Sequence, residues 1–126
     1  MPRTSKADAA ASVLEAEIEG HYGEVGPYTV GFETFPQDID PAPLFSALPD
    51  GRCQSPHWGV VLRGQLVFRY PDREETVRAG DAYYAAAGHL PLIFAGTEVV
   101  EFSPTEEFRA TMDAVGAAMA AAGAGE

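Results

Sequence analysis

The sequence predicts an all-β sandwich or barrel followed by a C-terminal α-helix. From residue 52 onward, turn signals recur roughly every eight to twelve residues, which is the spacing of short antiparallel strands. The segments between the turns are rich in β-branched and aromatic residues. In Gln65–Tyr70 the side chains alternate as in a strand with one buried face. After residue 102 the apolar residues recur at helical spacing instead.

The N-terminal part is predicted to contain a short helix. Residues 1–6 are expected to form a loose tail, and the segment from Ala7 to Glu19 is rich in good helix formers. The apolar residues of that helix would form a narrow stripe: Val13, Leu14 and Ile18. The glycines and the proline between Gly20 and Pro27 then indicate a loop.

Strands are predicted to make up the body of the fold. They are Tyr28–Phe35, Trp58–Leu62, Gln65–Tyr70, Glu74–Arg78, Ala82–Ala86, Leu90–Phe94 and Thr97–Phe102. Four prolines between Pro36 and Gly51 remove backbone donors, so no long regular element is expected there. This loop is predicted to pack over the fold and to close one end of a cavity through its apolar residues Leu44, Phe45 and Leu48.

The C-terminal helix is predicted over about residues 104–119. Ser103 is a suitable N-cap, Pro104 fits the first helical position, and Glu106 completes a capping box. One apolar stripe on this helix indicates packing or a dimer contact rather than a cofactor site: Phe108, Met112, Val115 and Met119. From residue 120 a loose tail is expected. Residues 1–126 are interpreted as one domain, with the barrel over about residues 28–102.

Charge and composition exclude several classes of partner. The net charge of −11 would repel nucleic-acid phosphates and anionic lipid, so no nucleic acid and no membrane partner is expected. No apolar run approaches the length of a membrane span, and acidic residues interrupt any signal-peptide core near the N-terminus. Cys53 is the only cysteine and cannot form an internal disulfide, which favours a reducing compartment. The expected location is the cytoplasm.

Cys53 and His57 are the first residues that point to chemistry. They lie four positions apart, and residues of equal parity share one face of an extended chain. A thiol and an imidazole would then face the same way. On the inside of a small β structure, such a pair is a candidate first half of a metal site.

The stretch from Gly51 to Gly64 resembles the first motif of the cupin family of small jelly-roll barrels. That motif places two histidines and a glutamate before a hairpin glycine, and Gly64 matches the glycine. Counting back from it, His57 fills the glutamate slot, Cys53 fills the second histidine slot and Gly51 fills the first.

The second cupin motif is matched over residues 80–91. Gly80 opens it and Gly88 matches its later glycine, while Ala86 replaces the family's proline. The final histidine slot falls on Pro91. His89 lies two residues earlier, which preserves parity and could return an imidazole to nearly the same place.

The resemblance implies a cupin-like double-stranded β-helix, a jelly-roll barrel that pairs into a homodimer and binds a small molecule. Its ligand slots leave Cys53, His57 and His89 as the metal ligands. A thiolate with two imidazoles suits zinc, or copper, better than magnesium or calcium. Three protein ligands leave one position open, as in catalytic zinc sites. The two-histidine, one-carboxylate pattern of iron oxygenases would require Glu101 to turn inward.

Each candidate also has an ordinary structural interpretation. Cys53 alone is more often a buried small hydrophobe than a ligand. His57 could be a hydrogen-bonded core residue, and His89 could lie exposed on a turn. Their joint placement in or beside the ligand slots favours metal binding. His21 has no such support and is interpreted as a surface residue.

Three aromatic residues can be sorted partly by parity. Trp58 has the opposite parity to His57 and is predicted to pack outside the cavity. Of Tyr83 and Tyr84, parity allows only one to line the cavity, and the sequence does not choose between them. Together with Glu101, these tyrosines are candidates for assisting proton transfer.

Two functions stay open at this point. The first is a metal-dependent enzyme that acts on a small polar metabolite, with isomerisation, hydrolysis and lyase chemistry all compatible. The second is a non-catalytic barrel that binds a small molecule without metal, for which the small residues of Ala85–Gly88 leave room. A transcription regulator fits less well, because the N-terminal segment is too short and too acidic for a helix-turn-helix.

Overall fold

A computed structural model of the protein describes residues 3–14, 18–43, 45–46 and 48–124, and these contain nine strands, one α-helix and a short 3-10 helix at Pro49–Gly51. The elements are β1 (Ala11–Leu14), β2 (Glu19–Val25), β3 (Tyr28–Phe35), β4 (His57–Arg63), β5 (Gln65–Arg69), β6 (Glu74–Arg78), β7 (Ala82–Ala85), β8 (Leu90–Ile93), β9 (Thr97–Pro104) and α1 (Thr105–Ala124). Every predicted strand is present, as β3 to β9. The predicted all-β class with a C-terminal helix is therefore confirmed.

The strands form two antiparallel sheets that pack together as a jelly roll. The larger sheet has the order β1-β2-β3-β9-β4-β7, and the smaller has the order β6-β5-β8. The core cluster draws on both sheets, with Phe35, Val61, Tyr83 and Val99 from the larger and Leu66, Phe68 and Ile93 from the smaller. Because β9 lies between β3 and β4, the last strand of the chain runs through the middle of the larger sheet.

The predicted N-terminal helix is wrong. Ala11–Leu14 is strand β1, which pairs with β2 from Leu14 opposite Glu19 to Ala11 opposite Tyr22. Residues 15–17 of that prediction lie outside the described residues. The loop predicted from Gly20 onward is strand β2 as far as Val25. Helix propensity is a weak preference, and tertiary contacts override it here. Strand β2 pairs with β3, and Val13 and Ile18 lie on the wall of a cavity.

The C-terminal helix is confirmed, but its predicted cap is wrong. Strand β9 continues through Pro104, and α1 begins at Thr105. The hydroxyl of Ser103 instead lies 2.7 Å from Nδ1 of His57 in the interior. The helix runs to Ala124, beyond the predicted end at residue 119. No helix among the described residues combines the length and hydrophobicity that a membrane span requires.

Two further predictions concern what covers the interior. Phe108, Met112 and Val115 of the predicted apolar stripe line the cavity, and the side chain of Met119 lies outside the described part of the chain. The proline-rich loop also closes the cavity, through Ile39, Pro41 and Phe45. Leu44 is not among the described residues. Ile39 fixes this loop to the smaller sheet by a bridge to Ile93.

Candidate metal centre

A cavity of about 780 Å³ lies between the two sheets and α1. Most of its wall is apolar, with Phe35 and Val99 from the larger sheet, Leu66 and Phe68 from the smaller, and Phe108 from α1. The polar side chains on the wall are Glu33, Cys53, His57, His89, Glu101, Thr111 and Asp113. The size and the mixed lining are those of a small-molecule site.

Cys53, His57 and His89 come together on this wall. Cys53 and His89 face each other in an isolated antiparallel bridge, in which the Cys53 N–H donates to the His89 carbonyl oxygen at 2.9 Å. His57 begins β4, and its ring centroid lies 5.0 Å from that of His89. The possible ligand atoms of the three buried residues all lie within 4.8 Å of one another. These residues could therefore bind a metal ion.

Both imidazoles are held through Nδ1. The Nδ1 atom of His89 lies 2.7 Å from the carbonyl oxygen of Ala86, which can only accept, so this nitrogen carries the proton. The Nδ1 atom of His57 lies 2.7 Å from Oγ of Ser103 and 3.3 Å from Oε1 of Glu101. These contacts leave Nε2 of each ring available. Metal-bound histidines usually have this arrangement, with the second nitrogen donating to a carbonyl or carboxylate.

One pair of donor atoms has the spacing of two ligands bound to the same ion. The Sγ atom of Cys53 lies 3.5 Å from Nε2 of His57. A sulfur at about 2.3 Å and a nitrogen at about 2.0 Å from a tetrahedral zinc ion are about 3.5 Å apart. Thr111 of α1 covers the thiol from the other side, with its Oγ1 atom 3.8 Å from Sγ. This pair is therefore spaced as two ligands of one ion are, and the donor atom of His89 lies within 4.8 Å of both.

Burial sets the charges of these groups. It lowers the pKa of His57 to about 4, and burial together with the nearby His57 lowers the pKa of His89 to about 4. Both rings are therefore neutral at pH 7, which is the form that binds metal. Burial also raises the pKa of the Cys53 thiol, so an unassisted Cys53 is a poor nucleophile. A bound cation would reverse this effect, because a coordinated thiol loses its proton.

Glu33 and Glu101, a second polar group on the cavity wall, each pair with a buried tyrosine that does not itself line the cavity. Glu101 accepts a hydrogen bond from the hydroxyl of Tyr83, and Glu33 accepts one from the hydroxyl of Tyr22 at 2.7 Å. Burial and the neighbouring Glu101 raise the pKa of Glu33 to about 8, and burial raises the pKa of Glu101 to about 7. The pKa values of both tyrosines are raised as well, first by burial.

Glycines make room for the two tyrosine rings. Gly31 on β3 and Gly59 on β4 lie directly opposite Glu101, one on each side of β9. A Cβ atom on Gly31 would lie 2.9 Å from the Tyr22 ring, and one on Gly59 would lie 2.7 Å from the Tyr83 ring. Only residues without side chains at these positions allow the rings to reach across the sheet to the carboxyl groups.

Glu33 and Tyr22 are the site residues that the sequence did not predict. Glu33 lies in the strand that the sequence predicts, and it shares parity with the buried Phe35. That parity is the signal that could have identified Glu33 as an inward-facing residue. Tyr22 could not be identified, because its segment was assigned to a loop. Glu101, by contrast, turns inward and contacts His57, and it is not a member of the cluster of mutually close donor atoms.

Tyr83 and Tyr84 point to opposite faces of their strand, as their parity predicts. Tyr83 faces the interior and is 9% exposed, whereas Tyr84 faces outward and is 55% exposed. Trp58 lies on the outer face, as predicted, and packs between Tyr28 and Tyr84. His21 is partly buried on the N-terminal hairpin, where it contacts Ser12 and Glu19.

The comparisons with known proteins bear on the fold. No protein-family model matches the sequence, and no curated protein matches it either. A protein of unknown function from Rhizobium leguminosarum bv. viciae 3841 superposes with a TM-score of 0.57 at 16% identity, over 82% of this chain and 94% of that chain. Protein NMB1881 from Neisseria meningitidis gives a TM-score of 0.53 at 12% identity, over 73% of this chain and 88% of that chain.

One of the similar structures names the fold. An RmlC-like cupin from Shewanella frigidimarina NCIMB 400 superposes with a TM-score of 0.53 at 12% identity, over 80% of this chain and 88% of that chain. Likeness at this level of identity establishes the fold alone. Together with the jelly-roll topology, it shows that this chain has the fold of the cupin superfamily.

Proposed function

We propose that the protein is a metal-dependent enzyme of the cupin fold, in which Cys53, His57 and His89 hold one divalent ion, zinc, beside a small-molecule cavity. The observation that carries this proposal is the convergence of the three donor atoms within 4.8 Å on the wall of that cavity. A thiolate with two neutral imidazoles is a donor set that prefers zinc to magnesium or calcium.

The contacts behind the two histidines support the proposal. Glu101 contacts Nδ1 of His57, and the Ala86 carbonyl oxygen accepts from Nδ1 of His89, so Nε2 of each ring is left to bind the ion. The net charge of the proposed site also supports the proposal. One divalent ion with one thiolate carries a net charge of +1, which would stabilise the buried carboxylate of Glu101 through His57.

The ion would supply Lewis acidity toward a carbonyl group or a water molecule, because three protein donors leave one position open. The chain's own residues would perform the rest. Glu101 and Tyr83 share a hydrogen bond beside His57 and can hold a proton near the reacting group. The apolar wall formed by Phe68, Val99 and their neighbours would exclude bulk water. Isomerisation, hydrolysis and elimination all remain compatible with this arrangement.

Metal analysis tests the proposal directly. Protein loaded with zinc and then dialysed is expected to retain about one zinc ion per chain. The double variant Cys53→Ala, His57→Ala is expected to retain none, whereas His21→Ala, which alters the one histidine outside the cluster, should retain zinc like the original protein. Equal and negligible zinc in all three would contradict the proposal. Loading with cobalt adds a signature of the thiolate, a charge-transfer band that Cys53→Ser should abolish.

A second candidate function is a non-catalytic barrel that binds a small molecule without metal. The mostly apolar wall of the cavity favours it, because such a wall suits a ligand held mainly by burial. A thermal-shift screen separates the two functions. Ligand stabilisation that a chelator does not change would favour simple binding, whereas a melting temperature lowered by the chelator would favour the metal site.

We also propose that the protein pairs into a homodimer through the outer face of the larger sheet. Three large side chains on neighbouring strands are exposed there, Trp58 at 40%, Tyr84 at 55% and Phe102 at 41%. An uncharged stripe on a chain with a net charge of −11 is a suitable surface for a second copy, because a twofold contact would pair apolar with apolar. Light scattering on the protein and on Trp58→Glu tests this, and a monomeric original protein would contradict it.

The cytoplasmic location stays a prediction from the sequence. A single thiol that serves as a ligand needs a compartment in which it is not oxidised. Fractionation of cells that produce the protein tests this prediction.

A further inference from the structure

We propose that the ligand of this cavity is a largely apolar small molecule that carries a cationic amine, and that Glu33 receives the amine. The inference rests on the proposed function only in taking this cavity as the ligand site. It narrows the class of ligand, which the sequence leaves at a small polar metabolite.

The charges around the cavity are all of one sign. The chain has eight lysine and arginine residues, all within the described part of the chain, and none of them lines the cavity. The acidic side chains on the wall are Glu33, Glu101 and Asp113. Apart from the zinc ion proposed above, a carboxylate or phosphate ligand would therefore meet no counter-ion on this wall, whereas a cation would meet a carboxylate.

Of the two carboxyl groups that pair with tyrosines, Glu33 is the one with fewer polar contacts among the described residues. Glu101 has Tyr83 at one oxygen and His57 at the other. Glu33 has only the hydroxyl of Tyr22, at Oε2. Among the described residues no lysine, arginine or histidine lies within ion-pair distance of Glu33. Asp113 is exposed on α1 and keeps its hydration.

Tyr22 holds Glu33 in a fixed orientation. Its ring lies against Gly20, which is opposite Glu33 in the β2–β3 register, and against Gly31, two residues before Glu33. The hydrogen bond from Tyr22 fixes Oε2, so Oε1 is the oxygen that can accept from a ligand. A pre-oriented carboxylate loses little entropy when it binds an amine.

An uncompensated carboxylate in an apolar cavity must gain either a proton or a cation. Burial and the nearby Glu101 raise the pKa of Glu33 to about 8, which reflects the cost of its unpaired charge. An ammonium group would remove that cost and form a charge-assisted hydrogen bond. The rest of the ligand would lie against apolar and aromatic side chains such as Phe35, Phe68 and Phe108, whose ring faces also attract cations.

Binding of three matched probes tests the inference, measured by calorimetry on the full chain kept metal-free with a chelator, so that no zinc ion can bind the carboxylate or the amine. The probes are phenethylamine, phenethyl alcohol and phenylpropionate, which share an apolar body and differ in the charge of the head group. The amine is expected to bind about tenfold or more tightly than the alcohol, and the carboxylate is expected to bind most weakly. Equal binding of amine and alcohol, tightest binding of the carboxylate, or no binding of the amine would overturn the inference.

Two variants test whether the amine binds at Glu33. Glu33→Gln keeps the size of the side chain and should reduce the affinity for phenethylamine about tenfold or more while leaving that for the alcohol unchanged. Glu75→Gln removes the same charge from exposed strand β6 and should change neither. Unchanged amine binding by Glu33→Gln would overturn the role of Glu33. Zinc retention, measured on separate zinc-loaded portions of the same proteins, separates the two proposals. Retained zinc without a preference for the amine would overturn this inference alone, and a preference for the amine without retained zinc would overturn only the metal site.

Discussion

The Nδ1 atom of His57 lies 3.3 Å from Oε1 of Glu101, and this contact joins the metal-capable cluster to the carboxyl groups of the cavity. Because Ser103 and Glu101 occupy Nδ1, the other nitrogen of the ring faces the thiol of Cys53 at 3.5 Å. Glu101 and Ser103 both lie on β9, which is the neighbour of β4 in the sheet. His57 is the first residue of β4. The orientation of the imidazole therefore depends on how these two strands pair.

Glu101→Gln is expected to weaken zinc binding about ten- to one-hundredfold without abolishing it, because the carboxylate orients His57 and raises its basicity. A competition titration against a chromophoric chelator measures the change. Glu98→Gln is the matched control, since Glu98 lies on the same strand and pairs with Arg63 on the surface. Equal affinities of Glu101→Gln and Glu98→Gln would contradict the assigned role of Glu101.

The stability of the chelated protein is expected to depend on pH in a specific direction. The pKa values of Glu33 and Glu101 are raised from 4.5 to about 8 and about 7, so below these values the folded state binds more protons than the unfolded state. Their stabilising contribution is full below pH 4.5 and is lost as the pH rises through about 7 to 8. The histidines act oppositely, because their pKa values are lowered from 6.5 to about 4.

The free energy of unfolding should therefore rise from pH 8 to pH 6.5, where only the carboxyl groups titrate, and level off below pH 6.5, where the histidines compete. The expected rise is on the order of 1 kcal/mol. Urea denaturation across this range, with chelator present, measures it. In Glu33→Gln the rise should shrink. A stability that falls from pH 8 to pH 6.5 would show that the two carboxyl groups are not buried as described.

Tyr83→Phe and Tyr84→Phe form a matched pair on one strand. The Tyr83 hydroxyl donates to Glu101 in the interior, so its removal should cost about 1–2 kcal/mol of stability. The Tyr84 side chain is mostly exposed, and its variant should stay within about 0.5 kcal/mol of the original protein. Urea denaturation at one pH compares them. Equal effects would mean that the hydrogen bond between Tyr83 and Glu101 contributes nothing to stability.

The parts of the fold that local signals determine could be predicted from the sequence. Turn residues and side-chain alternation predicted strands β3 to β9, and parity placed Cys53 and His57 on one face. His89 was predicted to return an imidazole near the family's ligand slot, and it lies opposite Cys53 in the bridge. The strands and the Cys53–His57 face depend on residues close together in the chain, whereas the place of His89 is a long-range pairing that only the family resemblance indicated.

The parts that depend on distant pairing were missed. The alanine-rich segment before Leu14 has helix propensity, but its place beside β2 makes it a strand. Ser103 has the sequence signature of a helix cap, yet its hydroxyl is used by His57, which is distant in sequence. The role of Tyr22 and Glu33 arises only when β2, β3 and β9 lie side by side. No local pattern reveals the role of Tyr22, whereas the parity that Glu33 shares with the buried Phe35 is a local signal that its side chain faces inward.

Two glycine-to-alanine changes should have opposite effects on stability. A Cβ atom on Gly59 would lie 2.6 Å from the Val100 carbonyl oxygen and 2.7 Å from the Tyr83 ring, and the backbone oxygen cannot move away. Gly59→Ala should therefore cost about 1–3 kcal/mol, as overpacking does. Gly116 lies within α1, and none of the atoms that the structure describes in neighbouring segments lies within 4 Å of its Cβ position, so Gly116→Ala should gain about 0.5–1 kcal/mol. Urea denaturation of both variants measures the difference, and a Gly59→Ala protein as stable as the original would contradict the close packing of Tyr83 over this strand.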